Sequence, residues 1–253
     1  MQVKTIFSSY APAVIILLFS LLTSAPALAA CERGNFTVAL DAGHTPGDPG
    51  STSARGKTEF TFNDRLAREA LAALKSAGFS KAFLVNPYRK ELSLRSRTKI
   101  ADEQGAQLFL SIHHDSVQPH YLSSWTHAGA DQSYSDQFSG FSLWVSQTNS
   151  GAAGSLATAK AIGTGLVRRG LSPTLHHAEP IRGESRTLLD AGRGIYGRDD
   201  LAVLRTSTPP AVLVEAGVIV HRAEEARLEL QAHRAKIAAA LVEGTAAACM
   251  AGG

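Results

Sequence analysis

The chain predicts a single α/β domain: a largely parallel, mixed and twisted sheet flanked by helices, with its site at the carboxyl edge of the strands. Two observations carry this. Short apolar runs bounded by Gly, Pro and polar residues alternate along the sequence with longer segments of helical periodicity. Three of those runs also end close to a histidine or a glutamate, and in open α/β sheets ligands bind beyond the carboxyl ends of the strands. A length of 253 residues with 44% hydrophobic and 19% charged side chains is enough to bury a core without staples.

The elements follow in order. The run Phe36 to Leu40 stops at Asp41-Ala42-Gly43-His44, and a polar, turn-rich loop continues to Lys57. Thr58 to Ala77 reads as a helix, because Phe62, Leu66, Ala70 and Leu74 recur at helical spacing and Gly78 supplies a stop. Ala82 to Val85 is a short strand. Leu92 to Gln104 is a second helix, with Arg95, Arg97 and Lys99 assigned to its polar side. Gln107 to Ile112 is a third strand running directly into His113-His114-Asp115. Ser116 to Ser139 has no periodicity and reads as a long functional or mobile loop. A strand over Gly140–Ser146 and a helix over Ser155–Gly170 come next, then an irregular stretch, Leu171 to Asp200. Ala211 to Val214 forms the last strand, ending at Glu215, and Glu224 to Ala248 a closing helix. No internal repeat or linker divides the chain, so residues 31–253 are expected to form one catalytic domain.

The two ends point outward from the cytoplasm. Residues 1–30 combine Lys4, an apolar stretch from Ile6 to Leu22, a polar spacer and Ala27-Leu28-Ala29, the pattern of a cleavable secretory signal peptide. Its removal leaves no transmembrane segment in the mature chain and lowers the formal charge of +3 by one. That charge, without any Lys/Arg run, gives no reason to expect nucleic acid. Cys31 and Cys249 sit at opposite ends of the mature chain. An even count in an exported protein suggests a disulfide, while Leu28-Ala29-Ala30-Cys31 also resembles a lipobox that would anchor the protein through Cys31. Localisation is therefore periplasmic or extracellular on either reading.

His44, His113 and Glu215 stand at three strand ends, and Glu59 opens the first helix. Two neutral imidazoles and one carboxylate make a common catalytic zinc set with a fourth position for water. A second carboxylate that is not a ligand can take the water's proton. Dinucleotide and Walker glycine patterns are absent, as is a Gly-x-Ser-x-Gly elbow. The rival readings are a zinc carboxypeptidase or endopeptidase and a non-catalytic binding module.

At these residues the chain resembles the zinc-dependent N-acetylmuramoyl-L-alanine amidases of the amidase-3 type. The matching pieces are Leu40-Asp41-Ala42-Gly43-His44 with Asp48-Pro49-Gly50, Gly56-Lys57-Thr58-Glu59, Leu94-Arg95-Ser96-Arg97, Leu108 to His113, and Pro210 to Gly217. They occur in the family's order and cover most of the mature chain. The resemblance implies Zn2+ bound by His44, Glu59 and His113, Glu215 as catalytic acid/base, and peptidoglycan as substrate in wall turnover or daughter-cell separation. It also implies a possible activator protein, since in some relatives an inserted helix blocks the metal. Here Glu179 or Glu184 would be the capping carboxylate, and Arg182, Arg186 and Arg193 would otherwise be available to peptide carboxylates. The chain departs from the family at Thr45-Pro46, at His114-Asp115 and at Val218 to His221, positions that bear on the substrate groove more than on the metal.

Overall fold

The computed structural model describes residues 1–5 and 31–252; nearly all of the expected signal peptide lies outside the described residues. Strands β1 (Val38–Ala42), β2 (Phe83–Leu84), β3 (Leu108–Asp115), β6 (Ser142–Val145), β7 (Thr187–Asp190), β8 (Ile195–Gly197) and β9 (Ala211–Val218) form one sheet. Its order is β2-β1-β3-β9-β6-β8-β7. β2, β1, β3 and β9 run parallel; β9 meets β6 antiparallel, and so does β7 meet β8. The sheet is thus mixed and largely parallel, as expected.

Strand alternation separates the two faces. Val38, Leu40, Leu108, Leu110, Ile112, Val212 and Val214 join one core, together with Phe62, Leu66 and Leu74 of helix α1 (Glu59–Ser76), Ile162 and Leu166 of α3 (Ala152–Arg168), and Ile237 and Leu241 of α6 (Gln231–Ala251). Ala39, Phe109, Ala211 and Leu213 face the other way, against Ala101 of α2 (Leu94–Glu103) and Val203 and Leu204 of α4 (Ala202–Arg205). Both faces being covered explains why the central strands read as continuous apolar runs. Each fully buried Leu or Phe of these cores contributes roughly 1.5–3 kcal/mol of burial free energy.

The structure corrects several expectations. β1, β3 and β9 extend past their apolar runs, so Asp41, His113 and Glu215 lie within strands rather than after them. The segment expected as a loop from Ser116 contains a hairpin, β4 (Ser123–His127) and β5 (Ala130–Tyr134). Its two-residue turn, Ala128-Gly129, has positive φ at both positions (50° and 81°), the hairpin geometry usually announced by Asn-Gly. Alanine in the first place hides the turn from sequence. Trp125 of the hairpin donates through Nε1 to the Ala54 carbonyl at 2.8 Å, pinning it over the loop after β1. The stretch 171–200 holds β7 and β8, strands of four and three residues, too short to show a period. The closing helix is two helices, α5 (Arg222–Leu228) and α6. The break is sustained by Arg234, whose Nη1 donates to the carbonyls of Leu228 and Glu229 while its fork holds Glu69. Arg97 is not on a polar face at all; it is 2% exposed.

Cys31 and Cys249 are joined by a disulfide, which uses the sulfur that lipidation would require. It ties the segment before β1 to the last turns of α6, 218 residues on. Replacing both cysteines by serine should lower unfolding stability by roughly 2–4 kcal/mol. Denaturant melts of the two proteins, with and without reductant, check this; an unchanged midpoint would remove the bridge's structural role.

Candidate metal centre

The register of three neighbouring strands sets the site. Ala42, Ile112 and Val214 lie on one rung of the sheet, and Gly43, His113 and Glu215 take the next position on each chain. The Gly43 amide still donates to the Ile112 carbonyl at 2.9 Å, so the backbone reaches His44 in strand register. Alternation puts Asp41, Ser111, His113 and Glu215 on the α2 side of the sheet. His114 goes to the other side, where Nδ1 lies 2.8 Å from Asn63 Oδ1 and the ring packs on Phe62. Strand alternation thus turns His113, and not its neighbour His114, toward Glu59 and His44.

Glu59, 4% exposed, is the hub. Its Oε1 lies 3.0 Å from His113 Nδ1 and its Oε2 3.1 Å from His44 Nε2. The Ser51 amide donates to Oε2 at 3.1 Å and Asn63 Nδ2 to Oε1 at 3.1 Å. One donor atom from each of His44, Glu59 and His113 lies within 4.8 Å of the others. Burial would push the Glu59 carboxyl up, but the bonds from His113 and His44 outweigh it and hold it well below the usual carboxylate range. His44 is raised, chiefly by its bond to Glu59.

Backbone detail makes room for this cluster. A Cβ on Gly43 would come within 2.2 Å of the His113 ring, and one on Gly50 within 2.4 Å of Glu59 Oε2. Gly50 has φ of 74°, and His44 itself sits at φ of 69°, a conformation that costs a non-glycine residue of order 1–3 kcal/mol. Arg97 holds His44 there. Its guanidinium donates to Asp41 Oδ1 (2.7 Å), the Ala42 carbonyl (2.7 Å) and the His44 carbonyl (2.5 Å). Ser111 Oγ donates to Asp41 Oδ2 at 3.0 Å. Glu91 accepts from Thr45 Oγ1 and the Gly47 amide. Sequence reasoning missed Asn63, Asp41 and Ser111 as supports and placed Arg97 on the surface. The one available signal was that Asp41 breaks an apolar run.

Glu215 lies on β9 between His113 of β3 and Ser142 of β6. Its Oε2 is shut off from solvent without a hydrogen-bond partner. Burial, then the charges of Asp115 and Glu59, push its carboxyl well up. The two candidate caps are engaged elsewhere: Glu179 accepts from Tyr121, and Glu184 accepts from Gln118 and lies against His177. Arg193 bonds Asp190 and Thr164, and Arg186 donates to the Gly183 carbonyl.

A sheet covered on both faces, with two imidazoles and a carboxylate gathered where neighbouring parallel strands end, is the architecture of a metal-dependent α/β hydrolase. The donor set fits zinc: nitrogen and oxygen ligands, an inward-facing carboxylate, and an orphaned carboxyl oxygen beside them. The comparisons narrow the class. The Amidase_3 profile, described as N-acetylmuramoyl-L-alanine amidase, matches residues 38–247, and the chain belongs to that family. It is 28% identical to the N-acetylmuramoyl-L-alanine amidase AmiA of Escherichia coli, over 83% of this chain and 75% of that one. A relative from Buchnera aphidicola is 30% identical over 44% of either chain, so the alignment spans less than half of that protein. The catalytic domain of CwlV, an N-acetylmuramoyl-L-alanine amidase from Bacillus (Paenibacillus) polymyxa var. colistinus, superposes with a TM-score of 0.61 at 25% identity, covering 83% of this chain and 95% of that domain. Ami1 from Mycobacterium smegmatis shares the fold with a TM-score of 0.66 at 22% identity, over 85% and 97% of the two chains.

Two outcomes follow from the supports. Arg97→Ala would strand Asp41 as an unpaired buried charge and should cost about 3–5 kcal/mol of stability, measured by urea unfolding. His114 is pushed down to about 3 by burial, from 6.5. Its imidazole is neutral in both states above pH 6.5. As the pH falls from there toward 3, the unfolded chain takes up a proton that the folded chain refuses, so stability is lost across that window. His114→Asn, which keeps a donor toward Asn63, should flatten the fall of the melting midpoint over the same range; an unaltered slope would show that other groups carry it.

Proposed function

We propose that the chain is an exported zinc amidase that cleaves the amide between N-acetylmuramic acid and L-alanine in peptidoglycan, with His44, Glu59 and His113 as ligands and Glu215 as acid/base. The observation that carries this reading is the convergence of three donor atoms beside a desolvated, unpartnered carboxyl on the adjoining strand. Membership of the amidase family supplies the bond. Residues 1–30 are proposed as the signal peptide and 31–253 as the catalytic domain, consistent with a disulfide formed in an oxidising compartment. No helix among the described residues is long and apolar enough to cross a membrane.

Zinc at such a site supplies a Lewis acid that brings the pKa of water to about 7 and polarises an amide carbonyl. Glu215 takes the proton from the attacking water as the oxygen adds to the lactyl carbonyl carbon. It then returns that proton to the departing nitrogen of L-alanine as the C–N bond breaks. A carboxyl raised by burial is suited to both steps, because it holds a proton more firmly than a solvated carboxylate and so is a better base toward the water. Asn63 and the Ser51 amide orient Glu59, and the Arg97 clamp fixes the loop that presents His44. A cleft of about 560 Å3, lined by Pro46, Phe60, Arg65, Arg68 and Arg89 among others, adjoins the start of α1 and offers room for a peptide. With Glu179 and Glu184 engaged elsewhere, the site works without a partner that withdraws a cap.

Purified protein should therefore release intact stem peptides beginning with L-alanine from isolated sacculi, without an activator. Glu215→Gln should lower that rate by roughly 10²–10⁴-fold while metal content stays unchanged. Mass analysis of the products checks both: fragments cut within the stem peptide would replace this reading with a peptidase, and full activity in Glu215→Gln would remove the residue from the chemistry.

A further inference from the structure

A second cluster stands two residues beyond His113 on the same strand. Asp115, at the end of β3, reaches a single-turn helix at His176–Ala178 in the segment between α3 and β7. Asp115 Oδ2 lies 2.7 Å from His177 Nε2 and 3.6 Å from His176 Nε2. One ligand atom from each of the three residues lies within 4.8 Å of the others. His176 is 2% exposed, and its Nε2, directed at the Asp115 carboxylate, has no hydrogen-bond partner.

The outer contacts of both rings are those of metal-bound imidazoles. Such rings present one nitrogen to the ion and hold the other through a carboxylate, hydroxyl or carbonyl, which sets tautomer and orientation. His177 Nδ1 lies 2.8 Å from Glu184 Oε2, and His176 Nδ1 lies 2.8 Å from Thr174 Oγ1. Each ring is thus anchored at Nδ1 and turns Nε2 inward. Phe138 stacks on His176 and Trp144 meets His177 edge to face, walling the cluster with aromatic surface. Tetrahedral zinc ligands at about 2.0 Å from the ion stand about 3.3 Å apart, a spacing that the 2.7 Å and 3.6 Å separations from Asp115 bracket. A plain ion pair would account for His177 alone and leaves the buried His176 nitrogen without purpose.

We propose that Asp115, His176 and His177 form a second divalent-cation site of the zinc class, distinct from the His44–Glu59–His113 centre, that fastens the 171–200 segment to the catalytic strand. Imidazole nitrogens with one carboxylate favour zinc over magnesium or calcium, which prefer oxygen-only shells. The proposal does not depend on any role given to Glu215 or on the reaction.

The test is zinc stoichiometry. The purified mature protein is stripped with chelator, titrated with Zn2+ and weighed by native mass spectrometry, with circular dichroism to verify folding. Wild type should hold two equivalents, Asp115→Asn one, and His44→Ala one. Asp115→Asn keeps the acceptor to His177 and so preserves the local contacts; His176→Gln serves in its place should it fail to fold. One equivalent in wild type that persists in Asp115→Asn, or two equivalents that persist in both variants, overturns the proposal. One equivalent that survives in His44→Ala and disappears in Asp115→Asn would instead overturn the first centre and leave this one standing.

Discussion

The arrangement depends on one buried carboxylate shared between two imidazoles. Glu59 is desolvated at the first turn of a helix, and a carboxylate removed from water is costly unless every lone pair is met. His44 and His113 meet it on opposite oxygens, and Asn63 and the amides of Ser51 and His114 supply further donors. Much of the surrounding backbone follows from making space for this contact. Gly43 and Gly50 stand where a single added carbon would strike the cluster, and His44 is held in a left-handed conformation.

The strain at His44 is offset by a second buried charge pair. Arg97 and Asp41 lie on the same sheet face as His113 and Glu215, and the guanidinium reaches past Asp41 to the carbonyls on either side of Gly43. The pair therefore acts as a clamp across the end of β1. Buried ion pairs are weak evidence of stability on their own; this one fixes the direction in which the chain leaves the sheet. Helix α2 thus takes part in the site without contributing a donor atom to it.

The sheet also explains why two neighbouring histidines differ so much. His113 and His114 are adjacent in sequence and lie on opposite faces, one against Glu59 and its charge, the other in apolar packing against Phe62. Asp115 then returns to the face of His113, across an irregularity in the register between β3 and β9. Asp115 there meets His176 and His177, so the polar edge of β3 is longer than its apolar run suggests.

Composition and periodicity indicated the fold class, the central strands β1, β3 and β9, the long helices, and the places of His44, His113 and Glu215 at strand ends with Glu59 opening the first helix; the roles expected of those four residues came from the resemblance to the amidase family. These are legible because burial on both faces writes an unbroken apolar run, and a polar residue that interrupts such a run must be answered by another. The Cys31–Cys249 pairing stayed open between a bridge and a lipid anchor until the two ends were seen together. Tertiary structure decided the rest. The Ala128-Gly129 hairpin and the short strands β7 and β8 lack local signals, Arg97 was displaced from an assigned surface to the core, and Asn63 and His176 met His114 and Asp115 only across dozens of residues of chain. A side chain's spacing along its own element says which way it points, but what it meets there is settled by elements that the spacing does not encode.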